Sequence, residues 1–396
     1  MKPIIYNLNN IRPPLTGIGR YSIELIREML VQRPNLTVIK NGQAHTGTNL
    51  AALLGGFDTP AKNKPSRSYA GQLISARKLR SIIGNIPLTR SIYRKLDSIN
   101  FDALSKAFIV DGAVYHDLNY SMNPKGSSYV STVYDLSHIV CPKTHPTHRV
   151  NYLNSYFEKI RCGSSRIITI SHAVKSELMD HYGISENRID VTHLAADSSF
   201  YPRTAHDCHS ILQAHALSYK KYVLCVATLE PRKNLSAVLN AYQLLDKQVQ
   251  QEFPLVLVGP LGWKSSALEK RIRQLNDLGV VKHLGFVAQN DLPVLYSGAT
   301  AFVYPSLYEG FGLPVLEAMQ SGCPCITSNT GALAEVSNGA AIQVDPQKSD
   351  DIAQQLNLLL HDPELRSHYV SAGQQRASNF TWAKTASQTC KIYDSL

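Results

Sequence analysis

Several things are scarce in this 396-residue chain, and each scarcity removes a class of protein. Only 18% of the residues are charged against 44% apolar, with no low-complexity tract, which excludes a disordered or fibrous chain. No apolar run approaches the roughly 18 residues of a membrane-spanning helix. The opening Met-Lys-Pro-Ile-Ile-Tyr-Asn-Leu is too short in apolar length for a secretory signal and reads as a first strand. The seven cysteines are odd in number and scattered from Cys141 to Cys390. Only Cys323 and Cys325 are close, and no second pair completes a zinc site. A reduced, cytoplasmic setting is the expectation. Acidic residues are missing altogether from 59–96, where nine Lys or Arg residues stand, and this segment nearly accounts for the net charge of +10.

What is present is alternation. Strand-like runs at 4–8, 130–134, 166–170, 189–193, 222–227, 255–258, 280–284, 301–304 and 340–344 alternate with helical patterns. The helices are expected at 21–30, 150–160, 173–182 (capped by Ser171), 235–245, 267–278 and 350–360, with a helical tail from Pro363. Such alternation implies parallel sheets wound on both faces. The chain is long for one core, so two domains are expected. Residues 197–219, with Pro202 and few apolar runs, read as the linker. The fold class is therefore α/β, with two doubly wound, Rossmann-like domains facing across a cleft and ligand loops at the carboxyl ends of both sheets.

The rest of the chain is organised around residues 300–330. A short buried strand ends in a loop holding Glu309, Gly310 and Gly312. Pro314 suits the first turn of a helix and Gly322 its end. Strand, glycine loop and helix N-terminus together make an anion site, where free N–H groups and the positive end of the dipole converge. Glu309 and Glu317 bracket it. Carboxylates repel phosphate but accept hydrogen bonds from hydroxyls, so the pattern suits a ligand carrying both phosphate and sugar.

Other motifs carry chemistry. Thr228-Leu-Glu-Pro-Arg-Lys-Asn234 stands after a strand, and Arg232 and Lys233 together can neutralise a diphosphate. Gly17 and Gly19 lie in an N-terminal loop at 9–20. A dinucleotide fingerprint would want glycine where Ser22 stands and an acidic residue about 20 positions further on, and neither is clear, so a dehydrogenase is not expected. Asp135 ends the strand at 130–134. His138, His145 and Arg149 follow in a turn-rich stretch that suits acceptor or phosphate contact, a metal, or plain surface. In the basic segment 62–95, Leu79, Ile82, Ile83 and Ile86 fall on one helical stripe. That stripe suits either packing or an anionic membrane surface, and no aromatic platform supports nucleic acid.

The segment Glu309-x7-Glu317 with its internal Gly310-Phe311-Gly312-Leu313-Pro314 resembles the donor-site signature of family-4 retaining glycosyltransferases. Glu230-Pro-Arg-Lys-Asn234 resembles that family's diphosphate clamp, and Thr16-Gly-Ile-Gly-Arg-Tyr21 its N-terminal loop. Two departures stand out. Many members carry Gly-Arg where this chain has Ala227-Thr228, and His-Asp-Leu where it has Tyr134-Asp135-Leu136. The resemblance covers nearly the whole chain, in particular to bacterial mannosyl- and rhamnosyltransferases of surface polysaccharides.

The resemblance implies the GT-B architecture, with an acceptor-side domain at 1–200, a nucleotide-sugar domain at 201–379, and a last helix at 380–396 crossing back to the first. It implies transfer of a mannose-like sugar, with GDP-mannose as the expected donor, to a lipid-linked glycan at the inner face of the cytoplasmic membrane, with retention. Catalysis would fall to Asp135, Glu309, Arg232 and Lys233. Donor contacts would come from Gly17, Gly19, Arg232, Lys233, Glu309, Gly310, Phe311, Gly312, Leu313 and Glu317. Within that set Glu309 would face the sugar and Glu317 the ribose. Tyr134, His138, His145 and Arg149 would lie on the acceptor side. No Asp-x-Asp occurs, so no metal and no cofactor are expected. The rival readings are a nucleotide-sugar epimerase and a non-catalytic sugar-binding protein.

Overall fold

The structure is a computed structural model that describes residues 2–9, 11–12, 15, 17–41, 43–57, 112–120, 128–260 and 266–396. The basic segment 62–95, with its expected membrane contact, lies outside the described residues. The chain divides into two compact units. One comprises Met1–Thr132, Lys159–Ile168 and Ala386–Leu396, and the other Val133–Glu158 and Thr169–Thr385. Residue 200, the expected boundary, lies between the last strand of the first sheet and the first strand of the second.

The first sheet contains β1 (Ile4–Asn7), β2 (Leu36–Lys40), β3 (Gln43–His45), β4 (Val114–Asp117), β5 (Ser128–Val133), β6 (Arg166–Thr169) and β7 (Ile189–Val191), in the order β3-β2-β1-β4-β5-β6-β7. β1 runs parallel to β2 and β4, and β4 to β5, while β3 is antiparallel to β2. The second sheet contains β8 (Val223–Val226), β9 (Leu255–Val258), β10 (Val281–Gly285), β11 (Ala301–Tyr304), β12 (Cys325–Ser328) and β13 (Ile342–Val344). Its order is β10-β9-β8-β11-β12-β13, with parallel pairing throughout. β9 and β11 are buried at every residue, as continuous apolar runs must be when helices cover both faces.

The strand order of the second sheet reverses between β8 and β11. In open α/β sheets the loops leaving the carboxyl ends at such a switch point diverge and leave room for a ligand. The loop after β8 carries Arg232 and Lys233, and the loop after β11 carries Glu309. The two loops singled out by their residues are thus the two that the topology makes neighbours.

Two expectations need correction. Residues 197–219 are not a bare linker, because Ala205–Ala214 is a helix closed by a capping box between Thr204 and Asp207. The N-terminal helix is Gly17–Gln32, so Gly17 and Gly19 sit in its first turn rather than in a loop. The tail is two helices, Pro363–Ala377 and Trp382–Asp394. Ser171 does cap its helix, His172–Tyr182, accepting from Val174 N–H.

The end of the last helix belongs to the first unit. There the Tyr393 hydroxyl lies 2.8 Å from the Tyr6 hydroxyl on β1 and 2.5 Å from His116 Nδ1 on β4. His116 Nε2 lies 2.7 Å from Thr132 Oγ1, and Arg33 pairs with Asp394. The seven cysteines are free thiols. No helix among the described residues is long and apolar enough to cross a membrane.

Candidate active site

β8 ends in a turn, Pro231–Lys233, followed by Asn234 in the left-handed region at φ 57°. Asn234 donates from Nδ2 to the carbonyls of Pro305 (3.0 Å) and Pro346 (2.7 Å), tying its own turn to the loop after β11. That loop ends at Gly312, with φ +107°, where a Cβ would lie 2.5 Å from the Leu333 side chain. Gly310 is more tightly constrained. A Cβ there would sit 1.8 Å from the Tyr134 carbonyl oxygen, so the loop backbone lies directly on the 134–136 turn.

These constraints converge the charges. Arg232 Nη1 donates to the Tyr308 carbonyl (2.7 Å) and to Glu309 Oε2 (3.0 Å), and its Nη2 donates to Glu230 Oε1 (2.9 Å). Lys233 Nζ donates to Glu309 Oε1 at 2.6 Å and to the Tyr304 hydroxyl at 2.9 Å. Tyr304 in turn donates to the same carboxylate oxygen at 2.9 Å, and Ser306 Oγ lies 2.8 Å from it. Glu309 is only 9% exposed, and Arg232 and Lys233 are each 13% exposed. Burial alone would raise the Glu309 pKa, but Arg232 and Lys233 outweigh it and hold the carboxyl at about 2. Burial likewise works against the Arg232 charge, which Glu309, Asp135 and Glu230 more than restore, raising its pKa. Arg232 Nε is buried and has no partner among the described residues. Arg232 and Glu309 thus hold each other charged, and one Arg232 donor is left over.

The other expected residues are placed as follows. Asp135 is half-buried, and its Oδ1 accepts from the Ser137 N–H (2.9 Å) and hydroxyl (2.6 Å). His145 Nε2 lies 2.9 Å from that hydroxyl, so His145 stands behind Asp135. His138 is a core residue, 4.6 Å from the Phe157 ring and 3.2 Å from the Tyr182 hydroxyl, and burial lowers its pKa to about 4. Arg149 is exposed. Glu317 is buried and accepts from the Tyr296 hydroxyl at 3.1 Å. Phe311 packs on Phe380, while Leu313 is half-buried at the start of helix Leu313–Gln320. The expected cluster of free N–H groups there is thinner than supposed. Pro314 has none, and the Val315 N–H bonds the Gly312 carbonyl at 3.0 Å. Gly17 and Gly19 lie in the first unit.

Among the described residues, His172, His193 and Glu335 bring three metal-capable ligand atoms within 4.8 Å of one another. The Glu335 oxygens are already engaged. Oε1 accepts from the His172 N–H and pairs with His193, and Oε2 accepts from the Ala173 N–H. The trio reads as a helix N-terminal brace.

Sequence reasoning missed Tyr304, Ser306 and Tyr308. Tyr304 and Ser306 turn their hydroxyls to Glu309, whereas the Tyr308 hydroxyl goes to Leu136 and Glu177. It also missed Glu177, whose partner Tyr308 is remote in the chain, and gave no separate role to Glu230, which pairs with Arg232 two residues on, or to Asn234, whose partners are remote.

Comparison with known proteins gives the family. Residues 211–376 match the family described as glycosyl transferases group 1. Over 390 residues the chain is 33% identical to O-antigen chain mannosyltransferase B of Escherichia coli, covering 98% of this chain and 99% of that one. The chain belongs to this glycosyltransferase family and is an enzyme with the GT-B fold. A second relative, the serotype-specific mannosyltransferase WbdA of Escherichia coli, is 31% identical over 61% of this chain and 30% of its own length. Among solved structures, Anabaena Alr3699/HepE in complex with UDP and glucose has a TM-score of 0.70 at 18% identity over the whole of both chains. WaaG, a glycosyltransferase involved in lipopolysaccharide biosynthesis, has a TM-score of 0.67 at 15% identity, over 98% and 99% of the two chains.

Proposed function

We propose that the protein transfers mannose from GDP-mannose to a hydroxyl of a lipid-linked surface-polysaccharide intermediate, with retention at the anomeric carbon. The observation that carries this reading is the buried Arg232–Lys233–Glu309 cluster at the switch point of the second sheet. The near-full-length relative named as an O-antigen mannosyltransferase supports the choice of sugar and acceptor.

In this reading Arg232 and Lys233 carry the donor diphosphate, the unused Arg232 Nε–H being one donor available to a phosphate oxygen. Glu309 accepts from hydroxyls of the sugar, Glu317 from the ribose, and Asp135 orients the reacting groups. The bond from the anomeric carbon to the β-phosphate oxygen breaks as the acceptor oxygen bonds that carbon. The acceptor proton passes to a phosphate oxygen, and nucleoside diphosphate leaves. The two cations stabilise the charge that grows on the leaving group, so the reaction is expected to need no metal and no further cofactor. The basic segment 62–95 would bring the enzyme to the anionic membrane face where such an acceptor lies.

A mass-spectrometric screen of nucleoside diphosphate hexoses with a polysaccharide-primer acceptor tests the reading. GDP-mannose should yield a product one hexose heavier, with an α-linkage by NMR. Consumption of donor without acceptor, giving an isomeric nucleotide sugar, would make the protein an epimerase instead.

A further inference from the structure

Tyr308 has no part in the chemistry above, yet it bonds both Arg232 and the turn that carries Asp135. Its hydroxyl accepts from the Leu136 N–H at 2.8 Å and donates to Glu177 Oε2 at 2.6 Å. Its carbonyl oxygen accepts from Arg232 Nη1 at 2.7 Å. Tyr308 is only 8% exposed, and its bond to Leu136 is buried while that to Glu177 is half-buried. Glu177 stands on helix His172–Tyr182, and the start of that helix is bound to the same loop, since Ser171 Oγ donates to the Gly310 carbonyl at 2.8 Å.

Residues 308–310 are therefore bonded on one side to Arg232 and on the other to the turn that carries Asp135. The Tyr308 side chain meets that turn at a peptide N–H one residue past Asp135. That place needs an atom that accepts and donates at once, at the far end of a rigid ring. A hydroxyl on tyrosine does this, and phenylalanine cannot. Burial, the largest influence, raises the Glu177 pKa while the Tyr308 hydroxyl bond opposes the rise, which fits a carboxylate kept for its partner.

We propose that Tyr308 and Glu177 are positioning residues that hold the Asp135 turn in register with Arg232 and Glu309. The proposal rests on the reading that glycosyl transfer takes place at these residues. Small misplacements of a reacting group lower rates by about a hundredfold, so the pair should govern turnover rather than nucleotide binding. Arg232 bonds only the Tyr308 main chain, which a phenylalanine preserves.

The test is steady-state transfer and nucleoside diphosphate calorimetry on wild type, Tyr308→Phe, Glu177→Gln and Glu177→Ala. Wild type is assayed first, since absence of transfer from any donor removes the underlying reading and the proposal with it. Tyr308→Phe and Glu177→Ala should each lower kcat about 10- to 100-fold with Kd for the nucleotide changed less than about threefold. Glu177→Gln, whose amide oxygen still accepts the Tyr308 proton, should stay near wild type. If Tyr308→Phe does not fold, the contrast between Glu177→Ala and Glu177→Gln carries the same readout. Active wild type with unchanged kcat in both Tyr308→Phe and Glu177→Ala overturns the positioning role alone. So does a loss of nucleotide affinity proportional to the loss of kcat, which would mark a collapse of the clamp.

Discussion

Tyr393 in the first unit and Glu309 in the second each sit at the centre of a buried polar cluster, and the two clusters are built on different chemistry. Around Tyr393 the partners are Tyr6, His116 and, through His116, Thr132. Burial pushes the Tyr6 phenol up and holds the His116 pKa down at about 3, so these groups are neutral at pH 7. Around Glu309 every principal partner is charged or donates to a charge. A neutral network that satisfies its own members adds stability and has no reason to rearrange. A buried ion cluster gains little over apolar packing of the same volume, because desolvation consumes most of the attraction. Perturbed charges kept in such a place mark a functional site. On the proposed reading, the contrast separates the cluster that holds the last helix to the first strand from one kept for a ligand.

The contrast breaks most visibly at the clamp. Arg232→Ala and Lys233→Ala each remove a buried charge-assisted contact, about 1.5–3 kcal/mol in the transition state, or about 10- to 150-fold in rate. Arg232→Lys should not restore it, because the guanidinium fork reaches Tyr308, Glu309 and Glu230 together. Initial rates with and without EDTA check both the loss and the expected indifference to chelation. Unchanged kinetics in Lys233→Ala would place the diphosphate elsewhere.

The two glutamates sharpen it further. Glu309→Gln cancels the anion that occupies Arg232 and Lys233, so affinity for the bare nucleoside diphosphate should hold or rise while turnover falls. Glu317→Gln should do the reverse, losing about three- to tenfold in nucleotide affinity, the equivalent of one ordinary hydrogen bond. Calorimetry with nucleotide alone decides it, and equal losses in the two variants refute the division of labour.

Much of this was legible in the chain. β9 and β11 are apolar at nearly every position because both faces are covered, and the paired cations of Pro231–Lys233 stand where a parallel strand must end. Less legible was anything that depends on a partner far along the chain. Glu177 and Ser171 reach the donor loop across more than a hundred residues, and no local period announces such a bond. His138 carried a chemically suggestive label but went to the core, because Phe157 and Tyr182 enclose it. Helix Ala205–Ala214 was hidden by a sparse apolar pattern, although Thr204 and Asp207 spelled its cap.

The smallest effect at neutral pH belongs to the neutral cluster, and there acid is the probe. An unfolded histidine titrates near 6.5, whereas folded His116 titrates at about 3. Below about pH 6.5 the unfolded state therefore binds the proton first. The stability tied to a neutral His116 is complete above that pH and drains away as pH falls toward 3. Glu309, held at about 2, loses its contribution in a lower window, as pH falls from about 4.3, the unfolded carboxyl value, toward 2. Between pH 7 and pH 5 the His116 window is open, as is that of His138 in the second unit, while that of Glu309 is not. One such histidine makes unfolding easier there by about 2 kcal/mol. His116→Gln keeps a side chain that can bond Tyr393 and Thr132 but cannot titrate, and its transfer rate at pH 7 should match wild type. Urea unfolding followed by circular dichroism at the two pH values should show a smaller acid loss in this variant than in wild type. An identical loss would mean that the first unit does not hold His116 neutral, and the contrast between the two clusters would fail at its quieter end.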